Sequence, residues 1–134
     1  MKLVADSNVL FTYFWKNSIA RELFLNQDLE LFSPQYSLNE IKKYSNEIIK
    51  KAKISKKEFT AALTELKTLV AFASLSEYSS FLKKAAELSP DKNDVDFVAL
   101  SLKLNCAVWS NDKELAKGKG FKVLNTREII ELFD

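Results

Sequence analysis

The chain has 134 residues, 47% of them hydrophobic and 12% aromatic, enough for one domain with a packed core and no disulfide. It has no histidine, one cysteine (Cys106) and two glycines (Gly118 and Gly120). That excludes Ser-His-Asp and Cys-His catalysis, histidine or thiolate zinc sites, Walker loops and Rossmann turns.

Twenty Lys and Arg stand against 18 Asp and Glu, a net charge of +2, so the composition permits nucleic acid as a partner without demanding it. Only Arg21 and Arg127 are arginines. Lysines bunch at Lys42, Lys43, Lys50, Lys51, Lys53, Lys56 and Lys57, and again at Lys113, Lys117, Lys119 and Lys122. Such runs read first as solvated helix faces and second as attractors of a phosphate backbone. No basic-then-apolar leader opens the chain, and no apolar run approaches the ~20 residues of a membrane span. With a lone cysteine, the expected setting is soluble, reducing and cytoplasmic.

In chain order, KLVA (2–5) reads as a strand ended by Asp6, with helical stretches around 8–15 and 18–27. LELFS (29–33) is a second strand, stopped by Pro34. SLNEIKKYSNEIIKKA (37–52) sets Leu38, Ile41, Tyr44, Ile48 and Ile49 on one helical face, and residues 55–69 repeat the pattern with Phe59, Ala62, Leu63 and Leu66. VAFASL (70–75) is a third strand, followed by a helix at about 77–88. A helix starts near Asp94 and runs through Phe97, Val98, Leu100, Ser101 and Leu104. CAVWS (106–110) is β-like, NDKELAKGKG a short helix and turn, FKVLN (121–125) a last strand, and TREIIELF a closing helix. Strands alternating with helices predict an α/β fold, a mainly parallel five-stranded sheet covered on both faces with KLVA central.

The chemistry that remains is that of carboxylates, hydroxyls, amides and lysines. It points to a hard cation held by oxygen, magnesium or manganese. In open parallel sheets the functional crevice lies beyond the carboxyl ends of the strands. Asp6 ends the first strand, and Asp112 follows CAVWS behind Ser110 and Asn111. Asp94 opens the helix leading into that strand, and Glu40 stands early in the helix after the second strand. Each acid also has a structural reading. Asp6, Asp94 and Asp112 are placed as helix caps, and SLNE (37–40) fits a capping box of Ser37 with Glu40. SKKE (55–58) fits the same box. Four gathered carboxylates need more than capping: two of them about 4 Å apart repel by about 4 kcal/mol at an effective dielectric of about 20. A divalent ion, or raised pKa values, would resolve that conflict.

In this order and spacing, LVADSNVL, LFSPQYSLNEI and DKNDVDFVALSLKLNCAVWSNDKEL resemble the three signature blocks of PIN-domain nucleases, the small stand-alone prokaryotic kind to which VapC toxins belong. The resemblance spans nearly the whole chain and implies a single PIN-like nuclease domain over 1–134, a three-layer α/β/α sandwich. It carries the family's catalytic, metal-binding acids onto Asp6, Glu40, Asp94 and Asp112. Asn8 and Ser110 become supporting polar groups, and Asp91 and Asp96 extra acids. Asp94 ranks above these two because it stands five residues before Ala99, the family's spacing. Asp96 falls where relatives often carry a small residue or proline.

The resemblance further implies hydrolysis of RNA phosphodiesters dependent on Mg²⁺ or Mn²⁺, leaving 5′-phosphate and 3′-hydroxyl ends. Implied partners are an RNA substrate, an antitoxin protein laid in the acidic groove, and a second copy in a homodimer, with no membrane. Toxin and RNA-processing roles both stay open.

Two other readings compete. A catalytically silent PIN-fold binding module is opposed by the presence of all four acids. A small phosphatase of the haloacid-dehalogenase type would use Asp6 as nucleophile. Its proton-donor position, however, holds Asn8, whose amide cannot act as a general acid.

Overall fold

The computed structural model describes residues 1–133. Its centre is β1 (Lys2–Ala5), in which Leu3, Val4 and Ala5 are fully buried, as expected of a strand covered on both faces. The chain continues through α1 (Ser7–Thr12) and α2 (Ile19–Phe24) to β2 (Glu30–Pro34). Three helices follow, α3 (Gln35–Lys43), α4 (Ser45–Ala52) and α5 (Lys56–Leu69), leading to β3 (Val70–Ala73). Next come α6 (Leu75–Tyr78), α7 (Leu82–Leu88) and α8 (Val95–Leu104), then β4 (Ala107–Trp109), β5 (Val123–Leu124) and α9 (Thr126–Leu132).

The strands lie in the order β3-β2-β1-β4-β5, and every pairing is parallel. Leu3 pairs with Leu31 on one side and Ala107 on the other, so β1 is the middle strand. Successive residues of β1 face opposite layers. Leu3 and Ala5 join Trp109, Leu31 and Val70 in a core closed by Val9, Phe24, Ile41, Ile48, Phe59, Leu66 and Ile129. Val4 joins Val108 and Ala73 in a second core closed by Tyr78, Ala85 and the apolar face of α8. The result is an α/β/α sandwich. The chain first winds from β1 to β2 and β3, then crosses back to β4 on the other side of β1. The neighbours β1 and β4 thus send their exits apart, which opens a crevice at their carboxyl ends.

Several boundaries differ from the sequence reading. The single helix expected over 37–52 is two, α3 and α4, meeting at Tyr44 (φ −99°, ψ 20°). Tyr44 N–H still donates to Glu40 C=O (2.9 Å) and Ile48 N–H to Tyr44 C=O (3.0 Å). The apolar periodicity therefore runs on through the bend, and no glycine or proline marks it. The helix expected at 77–88 is interrupted by a 3-10 turn, Ser79–Phe81, where Tyr78 turns fully inward. The stretch after Asp112 forms only a 3-10 turn, Leu115–Lys117, and the last strand shrinks from five residues to Val123–Leu124.

The capping box over 55–58 forms: Ser55 Oγ accepts from Glu58 N–H (3.0 Å) while Glu58 accepts from Ser55 N–H (2.9 Å). The one over 37–40 does not. Helix α3 starts two residues earlier, with Pro34 as N-cap, and the Ser37 hydroxyl donates to Pro34 C=O (2.7 Å). Glu40 is free to face elsewhere. All the lysines of the two clusters are exposed. Among the described residues no helix is long and apolar enough to cross a membrane.

Candidate functional site

At the β1–β4 crevice lies a cavity of about 340 Å³ lined by Asp6, Ser7, Asn8, Phe11, Tyr36, Glu40, Asn93, Asp94, Phe97 and Asp112. All four acids singled out in the sequence line it, and no lysine or arginine does. A larger open hollow of about 730 Å³ lies at the opposite end of the strands, around Lys2, Cys106 and Lys122. It contains no acid, so size does not locate the chemistry here.

Asp6 directly follows β1, and its N–H donates to Trp109 C=O (3.1 Å), extending the ladder to β4. Its carboxylate accepts from Val9 N–H (2.8 Å). Asp6 therefore caps α1 and faces the acidic cavity at once; the structural and the chemical readings of this residue are both realised. Only 5% exposed, it is pushed above the usual carboxylate range by burial and by Asp112, against the pull of hydrogen bonds from Ser110 and the Val9 and Asn8 backbone. Ser110 is buried at the end of β4 and accepts from Asp112 N–H (3.1 Å). Asp112 itself is exposed and accepts from Glu114 N–H (2.9 Å).

Glu40 reaches the cavity because the start of α3 is pinned to β1. The buried Ser33 hydroxyl donates to Ala5 C=O (2.9 Å) and lies 2.7 Å from Ser37 Oγ. Tyr36, one turn before Glu40, lines the same cavity with its ring edge-on to Phe97 (6.4 Å, 67°). Its hydroxyl is pushed up to about 12, first by its hydrogen bond to Glu40 and then by burial.

Asp94 precedes α8 directly. Burial, then the charges of Asp91, Asp112 and Asp6, raise it to about 6. Of the additional acids, Asp91 lies outside the cavity lining and accepts from Asn93 N–H (2.9 Å), capping the 3-10 turn Lys92–Asp94. Asp96 is also absent from the lining and accepts from the buried Tyr78 hydroxyl (2.6 Å).

Among the described residues, no group of three or more acidic or cysteine side chains is already arranged to hold a metal ion. The four acids share a cavity without closing on one point, so the expected common cation has no preformed cage. The donor set still suits a hard divalent ion. It is all oxygen and rich in carboxylates, and none of the four acids takes part in an ion pair among the described residues. The buried Ser7 hydroxyl, next to Asp6, has no protein partner and lines the cavity.

Sequence reasoning passed over Ser7, Phe11, Tyr36, Asn93 and Phe97. Tyr36 was detectable, since it stands four residues before Glu40 and so on the same helical face. The ring positions carried no signal apart from core packing.

The family model described as PIN domain matches residues 4–133. No curated protein matches the chain in sequence. Among solved structures, the fold is similar to that in the crystal structure of VapBC2 from Rickettsia felis bound to a DNA fragment from their promoter. The TM-score is 0.65 at 14% identity, covering 93% of this chain and 98% of that one.

Proposed function

The chain belongs to the PIN domain family, a family of nucleases, and on that premise we propose that it is an endoribonuclease dependent on Mg²⁺ or Mn²⁺. The observation that carries the reading is the convergence of Asp6, Glu40, Asp94 and Asp112 on one cavity without a lysine or arginine. In this reading those four hold the cation. When bound, such an ion polarises a phosphate oxygen and lowers the pKa of water.

The chain's own residues do the rest. Asp6 is held by its cap to Val9, so its carboxylate needs no reordering when charge enters the site. Asp94, raised to about 6 first by burial and then by its acidic neighbours, changes protonation close to neutrality, and a cation beside it favours the charged form. Tyr36 stands beside Glu40 on the cavity wall, and Ser110 holds the Asp112 backbone by accepting its N–H. Asn8 and Ser7 add neutral oxygens to the wall. Asp91 acts on the site through its charge on Asp94, whereas Asp96 supports Tyr78.

Residues 1–134 act as one nuclease domain in this proposal, in the cytoplasm, on an RNA substrate. Likeness to the VapBC2 fold supports an antitoxin protein as partner, and hence a toxin role. A homodimer belongs to the same reading, supported by exposed Ile19, Leu132 and Phe133. The test is incubation of a generic RNA with Mn²⁺, with Mg²⁺ and with EDTA. Expected are fragments with 5′-phosphate and 3′-hydroxyl ends in the metal samples only. Cleavage undiminished in EDTA contradicts the proposal.

A further inference from the structure

Tyr36 and Glu40 of α3 and Tyr44, which caps its C-terminus, follow one another at four-residue intervals, Tyr44 N–H still donating to Glu40 C=O (2.9 Å). At 1.5 Å per residue each step advances about 6 Å. Tyr36 is 42% exposed, and of the large hydrophobic side chains that face solvent it is the one that lines the acidic cavity. Phe97 braces its ring from below, and Phe11 adds a second ring to the same wall. Tyr44, 37% exposed, stands at the end of the helix with the Lys43 ammonium 5.3 Å from its ring centroid. Lys42 and Lys43 are exposed and make no ion pair among the described residues.

A cation site for a phosphate has no use for exposed rings. Rings interleaved with exposed lysines are what a single-stranded nucleic acid binds, bases on the rings and phosphates by the ammonium groups. In a duplex the base faces are already stacked on one another and unavailable.

We propose that this face of α3 is a stacking track for single-stranded RNA, with Tyr36 holding a base beside the acidic cavity and Tyr44, with Lys43, holding one farther out. The track rests on the nuclease reading for its substrate; what it adds is where the bases lie, on Tyr36 and Tyr44.

The test uses the Asp6→Asn protein in magnesium, to suppress cleavage, and an oligoribonucleotide carrying 2-aminopurine as the probe. Stacking quenches the probe. Tyr36→Leu and Tyr44→Leu, each added to Asp6→Asn, are expected to abolish quenching and weaken binding by about 5- to 100-fold. Tyr→Phe at either position retains both, which separates the ring from the hydroxyl. Thermal melts check that the variants stay folded. The same sequence as a duplex is expected to bind at least about tenfold more weakly and to be indifferent to the Leu changes.

Leu variants that bind like the Asp6→Asn protein, a duplex that binds as well as the single strand, or a surface that takes acidic peptide and no RNA overturns the track. Cleavage by the unmutated chain in Mn²⁺ is scored separately. An active enzyme with indifferent Leu variants loses the track and keeps the nuclease. An inactive one that still quenches through Tyr36 and Tyr44 keeps the track and loses the nuclease.

Discussion

Asp6 shows how one residue serves two requirements. Its place after three buried strand residues raises a choice between helix cap and site ligand, and the structure realises the cap while turning the carboxylate to the cavity. Ser33 is the less visible counterpart. Nothing in LELFSP marks it, yet its hydroxyl joins Ala5 C=O to the start of α3 and so aims Glu40. Ser33→Ala leaves Ala5 C=O without that donor in a fully buried position. The expected cost is about 1–3 kcal/mol of stability, measured by urea denaturation, together with weaker cleavage because Glu40 loses its support. An alanine variant as stable and as active as the parent would show that Ser33 neither holds nor positions anything.

Among the elements, the strands and the central place of β1 were the most legible part. Leu3, Val4 and Ala5, and Ala107, Val108 and Trp109, are buried on both sides, and continuous apolar runs of that kind have few alternatives in an α/β chain. Helix ends were legible only where a side chain makes a local bond. SKKE announced α5 correctly because Ser55 and Glu58 bond each other's backbone. SLNE carried the same pattern and misled, because Ser33 and Pro34 C=O compete for Ser37. The bend at Tyr44 and the 3-10 turn at Ser79 carry no glycine or proline to mark them. At Tyr44 the apolar periodicity and the helical hydrogen bonds both run on through the bend.

Ser55→Ala tests the local account. Loss of the box should cost about 1 kcal/mol with no effect on cleavage. An activity loss there would mean that α5 reaches the site, which its place far from the cavity lining denies.

At the scale of the whole molecule, the fold stores electrostatic strain at one edge of the sheet. Asp94 lies at about 6 against an ordinary 3.8, so the metal-free native state binds more protons than the unfolded chain between those values. Stability from this group therefore falls as pH rises from about 4 to about 6 and stays low above that window. Exposed Glu58 and Glu77, lowered by bonds to Ser55 and Ser74, act in the opposite sense as pH falls, so the contrast must be taken against a variant. In EDTA, Asp94→Asn should melt a few degrees above the parent at pH 7, by about the shift a ~1 kcal/mol change produces, and the gap should close near pH 4. A pH-independent gap would mean that neither burial nor its acidic neighbours raise Asp94 in the folded protein. The site acids could be nominated from sequence because strand ends and helix starts are few. Their spread could not, because it depends on charges that meet only in three dimensions.

The central claim is that the Asp6 charge, beyond its capping oxygen, makes this a metal-dependent ribonuclease. Asn preserves the size, the acceptor and the cap, and removes the charge. The decisive measurement is RNA cleavage by the parent and by Asp6→Asn, each in Mn²⁺ and in EDTA, beside thermal melts of the same samples. The account predicts parent cleavage in Mn²⁺ alone and a loss of about 100-fold or more in Asp6→Asn, since even outer partners of a metal site are worth about 10–100-fold. It predicts that Mn²⁺ raises the melting temperature of the parent far more than that of the variant. In EDTA the variant should melt at or above the parent, because one buried repulsive charge is gone. An Asp6→Asn protein that cleaves like the parent, or a parent that cleaves equally in EDTA, would contradict it.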